Sequence, residues 1–183
     1  MDQSPTKVNM DLLDAIAKRY SYRGEFTAAP VPRNDLEKIV QAGIRAPSAC
    51  NEQVVSFVIV DDPALLGRIA AIMDKPVCHT AKAMIVCAAD PRPVYQNISF
   101  ALEDCAAAVE NMLLAITALG YATVWIDGAL RVGGRAAQIA GLLDIPPGKT
   151  VHILLPLGVA AQPGQQREKL PFAQRAWFNR YGG

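Results

Sequence analysis

The sequence predicts an α/β or α+β domain, with helices packed on one mixed sheet, and three observations carry that expectation. Two amphipathic helical patterns come first, apolar strand-like runs then alternate with helical stretches, and the connections between them are short. Hydrophobic residues make up 51% of the 183 residues and charged residues 19%, so residues 1–183 are expected to bury a single core as one domain.

Taken in order, residues 10–20 repeat Leu12, Leu13, Ile16, Ala17 and Tyr20 at helical spacing and leave Asp11, Asp14 and Lys18 outward. Gly24, Pro30 and Pro32 then impose an extended connection. Asn34 followed by Glu37 reads as a capping box opening a helix that buries Leu36, Ile39, Val40, Gly43 and Ile44. Residues 54–60 are a buried strand, and Asp62-Pro63 opens a helix with an apolar face of Leu65, Leu66, Ile69, Ala70 and Met73. A second short strand spans 84–88. Residues 99–119 form the longest helix, about 31 Å at the standard rise, ended by Gly120. Glu103, Glu110 and Thr117, with Asp104 and Asn111, draw one narrow polar stripe on it, so it is expected to be buried on most sides, inside a domain or against a second subunit. Strand 122–127, helix 136–143 and strand 150–158 follow. From Gln162 the tail is polar and proline-bearing, then aromatic at Trp177, Phe178 and Tyr181, and is expected to pack on something.

A formal net charge of +1, from 18 Lys and Arg against 17 Asp and Glu, supplies no global field to recruit nucleic acid or an anionic membrane. The four cysteines form no Cys-x-x-Cys pair and no two histidines stand at ligand spacing, so neither zinc nor disulfides are expected. Residues 1–5 lack the basic-then-apolar order of a signal peptide, and no apolar run is long enough to span a bilayer, so a soluble cytoplasmic protein is expected.

Two short stretches carry chemistry. In an extended Arg19-Tyr20-Ser21-Tyr22-Arg23, side-chain alternation puts Arg19, Ser21 and Arg23 on one side, two guanidinium forks and a hydroxyl suited to a phosphate. Solvated surface arginines are the alternative. At the corner Ala46-Pro47-Ser48-Ala49-Cys50-Asn51-Glu52-Gln53 a helix stops and small or amide-bearing residues leave backbone N–H groups free for a ligand. Asn51 and Gln53, two apart, offer donor and acceptor to the edge of a heteroaromatic ring such as a flavin, or else satisfy backbone at the turn. Arg167 and Lys169 add charge before Leu170-Pro171, and Asp127-Gly128 ends a strand where a ligand could approach the backbone.

Together, Arg19-x-Ser21-x-Arg23, Ala46-Pro47-Ser48-x-x-Asn51-x-Gln53, Val124-Trp125-Ile126-Asp127-Gly128 and Leu155-Pro156-Leu157-Gly158, in that order, resemble the FMN-dependent nitroreductase family. The resemblance implies an α+β, nitroreductase-like fold forming an interlocked homodimer along the long helix, with FMN shared between subunits. By position, Arg19, Ser21, Arg23, Arg167 and Lys169 match the phosphate and ribityl contacts. Pro47, Ser48, Ala49, Asn51 and Gln53 match the segment reaching the flavin from the other subunit. Gly128, after Asp127, matches the backbone N–H at flavin N5, so no catalytic side chain is implied. An arm of about 162–183 would wrap the partner. The implied activity passes hydride from NADH or NADPH through N5 to an electron-poor small molecule such as a nitroaromatic or quinone in a ping-pong cycle. Dehalogenation, flavin breakdown or dehydrogenation on the same fold, and a flavin-binding dimer without turnover, are the alternatives. Val54-Val55 stand where the family often has Pro-Trp, Tyr20 where a second arginine is common, and Lys75, His79 and Lys82 lie where further cofactor contacts occur in the family.

Overall fold

The computed structural model describes residues 10–182; residues 1–5, read above for an export signal, lie outside the described residues. Helix α1 (Leu12–Lys18) opens on Asp11, whose carboxylate accepts the Asp14 N–H at 2.9 Å, and buries only Ala15. It is shorter than expected because the chain turns extended at Arg19, and its apolar face of Leu12, Leu13 and Ile16 remains uncovered within one chain. Helix α2 (Arg33–Ile44) does bury Leu36, Ile39, Val40 and Gly43, while Ile44 is exposed. The Asn34–Glu37 capping box does not form. Pro32 precedes the first turn with φ −61°, a ready-made helix entry, and no side chain caps it. A short 3₁₀ turn (Ala49–Asn51) leads to strand β1 (Val55–Val60).

Helix α3 (Pro63–Met73) starts as expected, with Asp62 accepting the Leu65 N–H at 2.9 Å. A single-turn helix α4 (Pro76–His79), not expected from the sequence, joins it to β2 (Ala83–Ala89), which is buried along its whole length. Helix α5 (Ala101–Ala118) is the expected long helix, and Gly120 at φ +81° ends it. Its polar stripe is split: Glu103 and Glu110 are exposed, whereas Asp104 is turned inward at 5% exposure. Strand β3 (Ala122–Thr123), helix α6 (Arg135–Leu142) and strand β4 (Thr150–Gly158) complete the order.

The described sheet runs β1-β2-β4-β3 and every pairing is antiparallel, where a mixed sheet was the expectation; long helical connections between neighbouring strands leave their relative direction free. Alternation along β2 divides the core. Met84, Val86 and Ala88 face α3, α4 and α6, and Ala83, Ile85 and Cys87 face α2 and α5. The β2–β4 register slips between Cys87 and Ala88, which makes His152 the extra residue of a bulge in β4.

The strand expected over 122–127 breaks after Thr123. Ala122 pairs with Gly158, Thr123 with Leu157, and Ile126 bridges to Leu154 in the same register, so Val124 stands opposite Pro156. Pro156 has no N–H to give at that rung, and its carbonyl is taken by the Thr123 hydroxyl at 2.7 Å. The far edge of β3 is covered by the chain after α1: Tyr22 donates its N–H to the Thr123 carbonyl at 2.8 Å, and Phe26 bridges to Ala160. Gly158 is required there, because a Cβ would lie 2.7 Å from Phe26 Cγ. Beyond Gln162 the tail forms a 3₁₀ turn (Phe172–Gln174); its aromatics pair with one another, Phe172 with Phe178 and Trp177 with Tyr181, yet Phe172, Phe178 and Tyr181 stay exposed.

Candidate cofactor site

The alternation read in Arg19-Tyr20-Ser21-Tyr22-Arg23 has a structural cause. Tyr22 is drawn into the core against Phe26, ring centroids 5.4 Å apart, and this leaves Ser21 and Arg23 on the outside. Gln166 ties the tail to the end of α1, its side-chain amide donating to the carbonyls of Arg19 at 2.8 Å and Ile16 at 3.2 Å. Arg167 and Lys169 are thereby carried across, and one cavity of about 500 Å3 is lined by Arg19, Tyr20, Ser21, Arg23, Arg167 and Lys169. Among the described residues Arg19 meets Glu110 at 3.6 Å, while Arg23, Arg167 and Lys169 have no carboxylate within ion-pair distance. Burial pushes the Tyr20 phenol above its ordinary range, so it stays neutral beside these cations. Four cations, a serine hydroxyl and a neutral phenol form an anion site with little competing negative charge.

Arg23 also lines an adjoining cavity of about 300 Å3 with Lys75, Pro76, Val77, Trp125, Asp127 and Gly128. Its floor is the stretch where Pro156 interrupts the ladder. Gly128 is exposed, and a side chain there would meet nothing within 4 Å, so its backbone is open to a flat ligand. The Asp127 carboxylate is held by Arg131 at 2.6 and 2.8 Å, and that ion pair raises the Arg131 pKa further. Behind it, burial pushes the His152 imidazole down, against the opposing pull of Asp127. Of the three residues the sequence left unassigned, Lys75 lines this cavity, His79 is exposed with Asp74 at 4.0 Å, and Lys82 spends its N–H on the Leu157 carbonyl. Trp125 lines the same cavity, a place that its position in the Val124-Trp125-Ile126-Asp127-Gly128 motif does not by itself reveal.

The corner is less extended than its spacing suggests. Cys50, Asn51 and Gln53 have φ of 50°, 57° and 50°, so the alternation expected for Asn51 and Gln53 does not apply; instead Gln53 Nε2 donates to the Asn51 carbonyl at 3.3 Å. Ser48 Oγ accepts the Gln53 N–H at 3.2 Å and Asp104 Oδ1 the Ala49 N–H at 3.0 Å. Val54 is buried, and Val55 lines a small cavity of about 70 Å3 with Pro47, Ser48, Gln53 and Asp104. That cavity shares no lining residue with the two basic ones, so one chain does not bring the corner and the arginines together.

This chain is similar over nearly its whole length to known proteins. The model of the nitroreductase family matches residues 16–76 and 73–159. A protein of Archaeoglobus fulgidus with the provisional name NADH dehydrogenase/NAD(P)H nitroreductase is 34% identical over 81% of this chain and 84% of its own. The NADPH-flavin oxidoreductase of Vibrio harveyi is 29% identical over 80% of this chain and 65% of its own. A solved structure of the NADPH:FMN oxidoreductase from Vibrio harveyi, complexed with NAD+, superposes with a TM-score of 0.80 at 27% identity, covering 94% of this chain and 78% of that one. With its fold, its broken strand before Gly128 and its convergent arginines, the chain belongs to the nitroreductase family and is an oxidoreductase of that family.

Proposed function

We propose that the protein is an FMN-dependent oxidoreductase that takes electrons from NADH or NADPH and delivers them to an electron-poor small molecule such as a nitroaromatic or quinone. The observation that carries this reading is the pair of cavities joined at Arg23: a basic one suited to a phosphate and an adjoining one lined by the open backbone of Gly128. FMN, when bound, supplies reversible hydride acceptance and donation at N5; the protein supplies position and electrostatics. Arg19, Ser21, Arg23, Arg167 and Lys169 hold the phosphate and ribityl chain. Lys75 would lend positive charge to the ring edge, and the Gly128 N–H would be the backbone donor available to N5. Arg131 leaves no unpaired carboxylate at Asp127 beside it.

The site is completed by a second copy of the chain, whose Pro47, Ser48, Ala49, Asn51 and Gln53 reach the flavin. The separation of the corner from the basic cavities supports this, as do the uncovered apolar faces of α1 and the tail, which buried against a partner would drive dimerisation. The visible spectrum tests the reading. Purified protein reconstituted with FMN should show flavin bands that bleach anaerobically with NADH or NADPH and return on adding a nitroaromatic. Protein that holds no FMN refutes the site, and bands that neither nicotinamide bleaches refute turnover with these donors.

A further inference from the structure

Three left-handed residues that are not glycine, Cys50, Asn51 and Gln53, stand within four positions of one another in the corner. Such a backbone persists only where its surroundings over-determine it. Both ends of the corner are registered on α5. On the α2 side, Asn111 donates to the Ala42 carbonyl at 3.1 Å, and Gly43 packs so close that a Cβ would lie 2.9 Å from Met112 Cγ. At the corner itself the anchor is Asp104, which accepts the N–H of Ala49, the residue directly before Cys50.

Asp104 is an expensive choice for that position. It is 5% exposed, and its Oδ2 is buried without a partner among the described residues. Its place in the first turn of α5 offsets part of the cost through the positive end of the helix. A leucine of similar size would pack there with no charge to desolvate. What leucine could not do is hold the Ala49 N–H.

We propose that Asp104 is a positioning residue of the flavin site: from α5 its carboxylate fixes the left-handed corner in the shape that Pro47, Ser48, Ala49 and Asn51 present to the cofactor. The inference rests on the FMN reading above. Its action on the cofactor runs through the Ala49 N–H that it holds.

The test uses Asp104→Asn and Asp104→Leu in the full chain. Both are close in shape to aspartate, and only the first keeps an oxygen acceptor for Ala49. FMN affinity is read by quenching of flavin fluorescence, thermal midpoint is read on the cofactor-free protein, and the visible spectrum is recorded at saturating FMN. The Leu variant is expected to keep a thermal midpoint near the parent's, because the desolvation relieved at Asp104 offsets the Ala49 N–H left without an acceptor, to bind FMN ten- to a hundredfold more weakly, and to show altered resolution of the visible flavin bands. The Asn variant should stay within about threefold of the parent with a native spectrum. Parent-like affinity and spectrum in the Leu variant overturn the proposal, and so does equal loss in both variants. Should the Leu variant fail to fold, Asp104→Ala removes the same acceptor without touching the residues presented to the cofactor: a tenfold weaker affinity supports the proposal and an unchanged one overturns it. Parent protein that binds no FMN refutes the flavin reading itself, a result separate from a parent that binds FMN and variants that bind it equally well.

Discussion

Arg23→Ala is the most informative single change, because Arg23 lines both basic cavities. In the free chain its fork is little engaged. Nη1 reaches the Ser21 carbonyl at a long 3.4 Å, and no carboxylate lies within ion-pair distance among the described residues. Removing it therefore breaks no native ion pair, and the stability of the cofactor-free protein should change by less than about 0.5 kcal/mol. With a dianionic phosphate in place, Arg23 supplies one charge-assisted hydrogen bond or a bidentate pair, worth about 1.5–3 kcal/mol. At 1.4 kcal/mol per tenfold, FMN affinity should fall roughly 10- to 150-fold. Since the side chain is exposed, the loss should shrink at high salt, where the screening length drops to about 3 Å. Arg23→Lys, which keeps the charge and loses the fork, should fall between. The assay is titration of cofactor-free protein with FMN followed by fluorescence, at two salt concentrations, beside a urea unfolding curve. An alanine variant with parental affinity at low salt would refute the phosphate assignment.

Gly158→Ala should lower unfolding free energy by about 1–3 kcal/mol, because the new methyl meets Phe26 atoms at 2.7–2.9 Å; urea unfolding checks it, and an unchanged midpoint would mean the Phe26 ring yields freely. Burial, with the Asp35 carboxylate that its hydroxyl bonds at 2.9 Å, pushes the Tyr121 phenol up to about 12. The unfolded chain ionises this group near its ordinary value and the folded one later, so its contribution is intact below pH ~10 and fades as pH rises toward 12. Tyr121→Phe should thus flatten the alkaline fall in stability, and parallel profiles would count against the coupling. In solution the parent should have the mass of two chains by light scattering, and Leu13→Asp with Phe178→Asp should shift it toward one; a parent that is already monomeric would remove the shared-site reading.

What the sequence made legible is what local rules decide. Asp62-Pro63, the apolar runs of the inner strands and the stop at Gly120 follow from capping, period and glycine geometry, and the structure has them within a residue or two. The outward grouping of Ser21 and Arg23 was legible for a related reason: Tyr22 seeks the core, and alternation then leaves both on the outside. Other features needed partners distant in the chain. Asp104 read as one polar residue on a helical stripe, because its partner Ala49 is 55 positions away. The break after Thr123 depends on Pro156 facing Val124 across a register that no local pattern encodes. The capping box at Asn34 failed since Pro32 already starts the helix, which puts Asn34 inside its first turn. Asn51 and Gln53 were misjudged as an extended pair because amide residues tolerate left-handed backbone, a freedom that spacing alone does not reveal.

The cysteines of this chain make it its own clock for opening. Cys50 lies exposed in the corner, whereas Cys78, Cys87 and Cys105 are buried, with the sulfurs of Cys87 and Cys105 3.4 Å apart between β2 and α5. Burial pushes the Cys78 thiol up to about 11, and the contact with Cys105 together with burial drives Cys87 higher still, so neither offers thiolate to a reagent while the core is closed. A thiol-reactive dye added to native protein should therefore mark one site per chain at once, Cys78 only as α4 opens on the far face, and Cys87 and Cys105 only as fast as the sheet and the long helix part company. The slow phases time these openings without any engineered label, and the fast one reports how far a ligand or a second chain shields the corner.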